Sequence, residues 1–358
     1  MKVVVVAGGT GGHIYPAIAI INKIKEKEPD SEFLYIGTDD RMEKDLIPKM
    51  GIPFVGIPMS GLNRKNVFKN FKVLSLFLKA VKKAKEELKK FQPDLVIGAG
   101  GYITAPVLYA AHKCHIPILI HEQNSIPGLS NKFIGKFADK ICVSLPNSLE
   151  LFPKEKVVYT GNPRSEEIIS VPKKGKEELG FDSNKKLVVV VMGSLGSITM
   201  TEKIKELIPG FNNKAYQALV ITGKNYYDLY KDLEISENVK IVPFLEDLIR
   251  VLKDSDLIVS RAGASTIAEI TAIGLPAILV PSPYVTNNHQ YKNAKELEDA
   301  GACRIVTEEE FSKDKIIREI DKMFDDIDGY QKMVENSRKL GISDSSTRIY
   351  EEAKKIIR

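Results

Sequence analysis

Tryptophan is missing from the 358 residues altogether, cysteine occurs three times and histidine five times. Cys114, Cys142 and Cys303 are scattered with no CxxC pair. That excludes a disulfide framework and a thiolate zinc site, and leaves reduced thiols of the kind found in the cytoplasm. Among His13, His112, His115, His121 and His289 the one close group is HKCH at 112–115, and no second group completes a tetrahedral set, so neither metal nor cofactor is expected. Long apolar runs are also absent. The longest, Val3 to Ala7 and Leu187 to Met192, fall far short of the ~20 residues that span a bilayer, and Met1-Lys2 leads straight into a strand-like run. A membrane-spanning helix and a signal peptide are therefore not expected. With 25 glycines and 18 prolines the chain is neither collagen-like nor of low complexity. Nor is there a large excess of one charge: 52 Lys and Arg oppose 47 Asp and Glu, a balance too mild to imply a nucleic-acid partner.

What is present is an alternation of short apolar runs with longer helical patterns. At roughly 150 residues per domain the length suggests two domains. The runs fall at 2–8, 33–37, 95–101, 117–122 and 140–144, and again at 187–194, 218–223, 239–244, 257–263, 277–282 and 303–306. Uninterrupted apolar runs of this kind are strands buried on both faces, so the reading is α/β: two Rossmann-like, doubly wound parallel-sheet domains facing a cleft. The divisions expected are 1–162, 163–340 and a C-terminal helix at 341–358 that packs back on the first domain. The linker is placed near Gly161 to Lys174. TEEEF at 307–311 offers a Thr cap and an acidic first turn for the helices that follow.

In such sheets ligands bind in loops at the carboxyl ends of the strands. AGGTGGHIYPAIAI at 7–20 follows the first run and opens a helix, which makes it a phosphate-loop candidate. Ile14 stands where a dinucleotide fingerprint needs glycine, and no Gly-Lys-Ser/Thr follows. His13, at the mouth of that helix, is either a packing histidine or a group that handles protons. IHEQNSIPGLSNK at 120–132 ends a strand in four polar residues, where His121 and Glu122 suit a buried network and Asn124 a ligand contact. MGSLGS at 192–197 and SRAGASTIAE at 260–269 repeat the glycine turn, with Glu269 one helical turn in and placed to accept bonds from a ribose diol. The amide-rich stretch 281–301, with Gln290 near its helix start, suits sugar hydroxyls. Asp254-Ser255-Asp256 mimics a DxD metal motif but precedes a strand, and reads as a helix-end turn.

One segment concentrates charge. Residues 62–90 hold ten Lys or Arg against two Glu. Lys65, Phe68, Lys69, Phe71 and Lys72 form the pattern of a helix lying on an anionic membrane, while Leu74, Leu78, Val81 and Leu88 are expected to pack on the first sheet.

Taken together, GGTGGH, HEQN, MGSLGS and the helix after Gln290 resemble the MurG family over nearly the whole chain. That resemblance implies a GT-B fold and an inverting N-acetylglucosaminyltransferase. Such an enzyme moves GlcNAc from UDP-GlcNAc to the C4 hydroxyl of the muramoyl sugar of lipid I, undecaprenyl-diphospho-muramoylpentapeptide, giving lipid II at the cytoplasmic face of the cell membrane. It assigns Thr10, Gly11 and Gly12 to the donor sugar and diphosphate region, and His13 to the catalytic base. Asn124 would contact the sugar, and Ser194 the diphosphate, although Leu195 and Ser197 depart from the family's GGSQGA. Leu245 falls in the uracil-contacting loop. Ala264, Ser265 and Thr266 lie near the phosphates, Glu269 binds the ribose, and Gln290 is the second of two sugar-binding glutamines, with His289 in place of the first. Arg164 comes one residue early against the family's GNPVR. UDP-GlcNAc 2-epimerase and other GT-B glycolipid glycosyltransferases share much of this pattern and are the alternatives.

Overall fold

The computed structural model describes every residue except 62–69, 194–196 and 358. The chain forms two compact units, Met1–Arg164 together with Asp344–Arg358, and Ser165–Ser343.

In the first unit the strands are β1 (Lys2–Val6), β2 (Glu32–Gly37), β3 (Phe54–Gly56), β4 (Leu95–Gly98), β5 (Ile118–Glu122), β6 (Lys140–Val143) and β7 (Val157–Tyr159). They pair in parallel in the order β3-β2-β1-β4-β5-β6-β7. The helices are α1 (Gly11–Lys27), α2 (Glu43–Lys49), α3 (Asn70–Phe91), α4 (Thr104–Lys113) and α5 (Leu129–Ile134). Because successive side chains of a strand point to opposite faces, the valines of β1 divide between two cores. Val4 and Val6 pack with Ala80, Ala84 and Leu88 of α3, and Val3 and Val5 with Ile14, Ile18 and Ile21 of α1. The second unit begins within the first turn of α6 (Arg164–Ser170). It holds β8 (Leu187–Val191), α7 (Ile198–Leu207), β9 (Gln217–Ile221), β10 (Val239–Val242), α8 (Leu248–Leu252), β11 (Leu257–Ser260), α9 (Ala264–Ile273), β12 (Ala277–Leu279), α10 (His289–Asp299), β13 (Arg304–Ile305), α11 (Lys313–Asp325) and α12 (Ile327–Leu340). Its sheet is also parallel, ordered β10-β9-β8-β11-β12-β13. The last helix, α13 (Ser345–Ile356), belongs to the first unit. Tyr350 and Lys354 both reach Glu28 of the loop after α1, at 2.9 and 2.7 Å, and Ser345 Oγ donates to the carbonyl of Asn162.

Each apolar run of the sequence is a strand. Three expectations need correction. The segment assigned to the linker contains α6, and β7 lies just before it; β3 and β7 are half-buried, three-residue edge strands with too few apolar residues to stand out. Thr307 and Glu310 do exchange capping bonds, at 2.8 to 3.3 Å, but around an isolated turn, and α11 starts only at Lys313 with Ser312 as its cap. Leu74 and Leu78 do not pack on the sheet. Val73, Ala80, Ala84 and Leu88 form the buried face of α3, while Leu74 is 57% and Leu78 62% exposed.

The strand order reverses between β1 and β4 and between β8 and β11, where helices leave on opposite sides of the sheet and their loops part. The glycine-rich turns follow β1 and β8.

Candidate active site

After β1 the chain turns sharply through Gly8 and Gly9, the latter at φ +94°, and Thr10 caps α1. The turn closes at once, since His13 N donates to the Thr10 carbonyl at 3.0 Å. Gly11, Gly12 and His13 thus sit in the first turn of α1, with Thr10 exposed beside them and His13 half-buried. His13 Nδ1 lies 3.2 Å from the Gly8 carbonyl oxygen. A carbonyl can only accept, so Nδ1 carries the proton and Nε2 is the basic nitrogen of the ring. The loop after β4 forms the wall. Gly8 N donates to the Gly100 carbonyl, and a Cβ on Gly100 would lie 2.6 Å from His13 Cδ2, so only glycine lets the imidazole lie there. Of the apolar run at 95–101 only Leu95–Gly98 is strand, and the glycines directly after it, Gly100 and Gly101, are the sequence signal of this wall. Arg164 is brought to the same end of α1, its guanidinium 5.1 Å from the ring centre of Tyr15.

HEQN is tied to that wall. Gln123 Nε2 donates to the Ala99 carbonyl at 2.8 Å and to His121 Nδ1 at 2.9 Å. His121 Nε2 then faces the Gly161 carbonyl at 3.2 Å, the neutral tautomer with its proton on Nε2. Glu122 spreads both oxygens: Oε1 accepts from Asn124 N and Nδ2, and Oε2 from Gly128 N and Asn131 Nδ2, at 2.9 to 3.2 Å. Of the four residues, His121, Glu122 and Gln123 are buried, and Asn124, half-buried, is the one held at the surface.

Burial lowers the His121 pKa from its ordinary 6.5 to about 4. The unfolded chain therefore binds the extra proton between those values, and stability is retained above pH 6.5 and lost as pH falls toward 4. The loss is about 3 kcal/mol for this residue. Denaturant unfolding at pH 7.5 and 4.5 should show His121→Asn, neutral at both, losing less stability on acidification than the parent by roughly that amount; equal losses would remove His121 as the cause.

In the second unit Ser194 lies outside the described residues. Ala264, Ser265 and Thr266 form the first turn of α9, behind Gly263 as N-cap and with no acidic side chain in that turn. Backbone amides and the positive end of the helix there favour an anion. Glu269 stands half-buried one turn further on. Arg261, a cation inside SRAGASTIAE with no local pattern to mark it, is buried and ion-paired with Glu308 at 2.7 Å. It also donates to Ser197 Oγ at 3.1 Å and to the Val280 carbonyl, fixing the end of β11 to the start of α7. Leu245 is half-buried in the segment between β10 and α8. Gln290 opens α10, with Oε1 accepting from Ser282 N at 2.8 Å, and His289 Nδ1 donates to the Thr286 carbonyl at 2.8 Å. Asp254 and Asp256 are engaged by Lys173, Lys176 and Leu187 N at 2.7 to 3.0 Å in the turn before β11.

On α3, Phe71 is 73% exposed and, with Leu74 and Leu78, forms an apolar stripe spaced i, i+3, i+7. Lys72, Lys79, Lys82 and Lys83 are exposed on the same helix. Beside the stripe, Phe77 packs on Phe133 of α5, which is itself 43% exposed. Lys65, Phe68 and Lys69 lie outside the described residues. No helix among the described residues is long and apolar enough to cross a membrane.

Two family models match in sequence, the glycosyltransferase family 28 N-terminal domain over residues 3–143 and its C-terminal domain over 187–349. The UDP-N-acetylglucosamine–N-acetylmuramyl-(pentapeptide) pyrophosphoryl-undecaprenol N-acetylglucosamine transferase 1 of Bacillus cereus is 44% identical over the full length of both chains. The corresponding transferase of Bacillus pumilus is also 44% identical, over 99% of each chain. Among solved structures, Acinetobacter baumannii MurG superposes with a TM-score of 0.80 at 28% identity over 99% of each chain. A UDP-GlcNAc 2-epimerase of Neisseria meningitidis shares the fold, with a TM-score of 0.68 at 17% identity over 99% of this chain and all of its own. Glycine loops after β1 and β8, two parallel sheets and full-length identity converge: the chain belongs to the MurG family of glycosyltransferases.

Proposed function

We propose that the protein transfers N-acetylglucosamine from UDP-GlcNAc to the C4 hydroxyl of the muramoyl sugar of lipid I, giving lipid II for peptidoglycan. The observation that carries this reading is His13, set at the mouth of α1 with Nδ1–H on the Gly8 carbonyl and Nε2 as its basic nitrogen. The acceptor hydroxyl attacks the anomeric carbon as its proton passes to Nε2, the bond to the UDP oxygen breaks, and the configuration inverts in a single displacement. A base whose ordinary pKa lies near neutrality suits that proton transfer. The first unit takes the acceptor and Asn124 contacts the donor sugar; the second unit holds UDP. There the N-terminus of α9, with Ala264, Ser265 and Thr266, and Ser194 meet the diphosphate, whose charge grows as it leaves. Thr10, Gly11, Gly12, Arg164 and Gln290 complete the sugar and diphosphate contacts, and Leu245 lies against the uracil.

Glu269 accepts from the ribose diol. Its loss leaves two ligand hydroxyls without a charged partner, worth about 1.5 to 3 kcal/mol. Glu269→Ala should raise the KM for UDP-GlcNAc at least tenfold with kcat changed far less. A KM within twofold of the parent would put the ribose elsewhere.

The acceptor carries an undecaprenyl chain and stays in the bilayer, so the enzyme must come to the membrane. The Phe71, Leu74, Leu78 stripe with its lysines supports docking on an anionic, cytoplasmic leaflet. Incubation with UDP-GlcNAc and a soluble lipid I analogue tests the reaction: UDP release that requires the analogue and yields the disaccharide supports transfer. Conversion of UDP-GlcNAc to its C2 epimer without acceptor would replace it with epimerisation.

A further inference from the structure

Beneath the first glycine loop lies a carboxylate that the mechanism above leaves unused. Glu43, in the first turn of α2, is completely buried. Its Oε1 accepts from Thr38 N at 3.0 Å and Thr38 Oγ1 at 2.7 Å, and both of its oxygens face Gly9 N, at 3.3 and 3.2 Å. All these partners donate, the arrangement of an acceptor-only carboxylate. Among the described residues no cation pairs with it. Its space is made by glycines: a Cβ on Gly8 would fall 2.5 Å from Glu43 Oε1, and one on Gly37 2.7 Å from Glu43 Cγ. Above it, burial and then the Glu43 charge push the Tyr35 hydroxyl well above its ordinary pKa, and that hydroxyl makes no hydrogen bond.

The N–H that Glu43 holds and the carbonyl that His13 uses belong to one peptide unit, Gly8–Gly9. We propose that Glu43 is a positioning residue for the base, acting on His13 through the Gly8–Gly9 peptide as a carboxylate acts directly on a catalytic histidine elsewhere. A carboxylate on the amide N–H polarises the peptide and strengthens the carbonyl as an acceptor, since linked hydrogen bonds reinforce one another. The stronger acceptor fixes the Nδ1–H tautomer, leaves Nε2 as the basic nitrogen and stabilises the imidazolium that forms as the acceptor proton arrives. It also fixes the plane of the loop from which α1 departs. The same bonds hold Gly9 N–H toward the interior, so this amide serves the carboxylate and not the diphosphate.

This inference rests on His13 being the base, and the experiment separates the two. Glu43→Gln keeps the volume and one acceptor oxygen but removes the charge. With UDP-GlcNAc and a soluble lipid I analogue, it should lower kcat about tenfold, the low end of what loss of an outer-shell carboxylate behind a functional histidine costs, while the KM for UDP-GlcNAc stays within twofold. Added to His13→Ala, it should cost nothing further. A wild-type kcat in Glu43→Gln overturns the relay. So does a double variant slower than His13→Ala by the full effect of the single change, which would make Glu43 a fold residue acting independently of the ring. Near-normal turnover of His13→Ala itself would instead remove the base, and the relay with it. Should Glu43→Gln not fold, imidazole ¹⁵N shifts of the unaltered enzyme decide: Nδ1–H at His13 is required, and a predominant Nε2–H tautomer refutes the proposal.

Discussion

His13→Ala is expected to lower kcat by about 10² to 10⁴, the contribution of a positioned base, or roughly 3 to 5 kcal/mol of transition-state stabilisation. The KM for UDP-GlcNAc should move by no more than a few fold, because in the proposed mechanism the ring meets the acceptor proton, and its Nδ1 side faces the protein's own Gly8 carbonyl. The loss should fall on turnover and not on folding. His13 is half-buried, its ring lies against Gly100, and removing it opens space that water can enter. Steady-state rates of UDP release with donor and acceptor varied separately read both parameters. Turnover within a few fold of the parent, with unchanged affinities, would assign the base to another group.

His13 was legible because its signal is local. Glycines directly after a buried strand, followed by a titratable residue at a helix mouth, need no long-range information. The same holds for Asn124 as a candidate, at the end of the polar HEQN that closes a strand, and for the strands themselves, since a strand buried on both faces leaves an unbroken apolar run. Where the sequence was opaque, the deciding contact lay far along the chain. Glu43 looks like an ordinary acidic residue in the first turn of a short helix; its meaning comes from Gly9, 34 residues earlier, and from a pocket emptied of side chain at Gly8 and Gly37. Edge strands β3 and β7 pair on one side only and stay half-buried, so nothing selects a long apolar run there. On α3 the hydrophobic spacing was right but the face was wrong. The helix carries two apolar stripes, and the one with small residues, Val73, Ala80 and Ala84, approaches the sheet closely, leaving the larger leucines outside.

That reversal strengthens the membrane reading and leads to its test. Phe71, Leu74 and Leu78 are three large apolar side chains on one exposed helix face, a group that folding has left in water. Full burial of such a side chain is worth about 1.5 to 3 kcal/mol. Insertion to the headgroup boundary realising about half of that for three residues amounts to roughly 3 kcal/mol. Basic side chains near an anionic leaflet add about 1 kcal/mol each, an attraction that salt screens over about 8 to 10 Å. Replacing all three apolar residues with serine should therefore reduce partitioning onto vesicles rich in anionic lipid by about 10²-fold at any salt concentration. Lys65, Lys69 and Lys72 changed to Glu should abolish binding chiefly at low salt, where the parent binds best. In both variants UDP-GlcNAc affinity should match the parent, and in the serine variant thermal stability should too, because α3 packs through Val73, Ala80, Ala84 and Leu88. Turnover of a soluble, short-chain lipid I analogue should be preserved while turnover of lipid I in vesicles falls. Sedimentation of the serine variant equal to that of the parent would move the membrane-binding face away from α3.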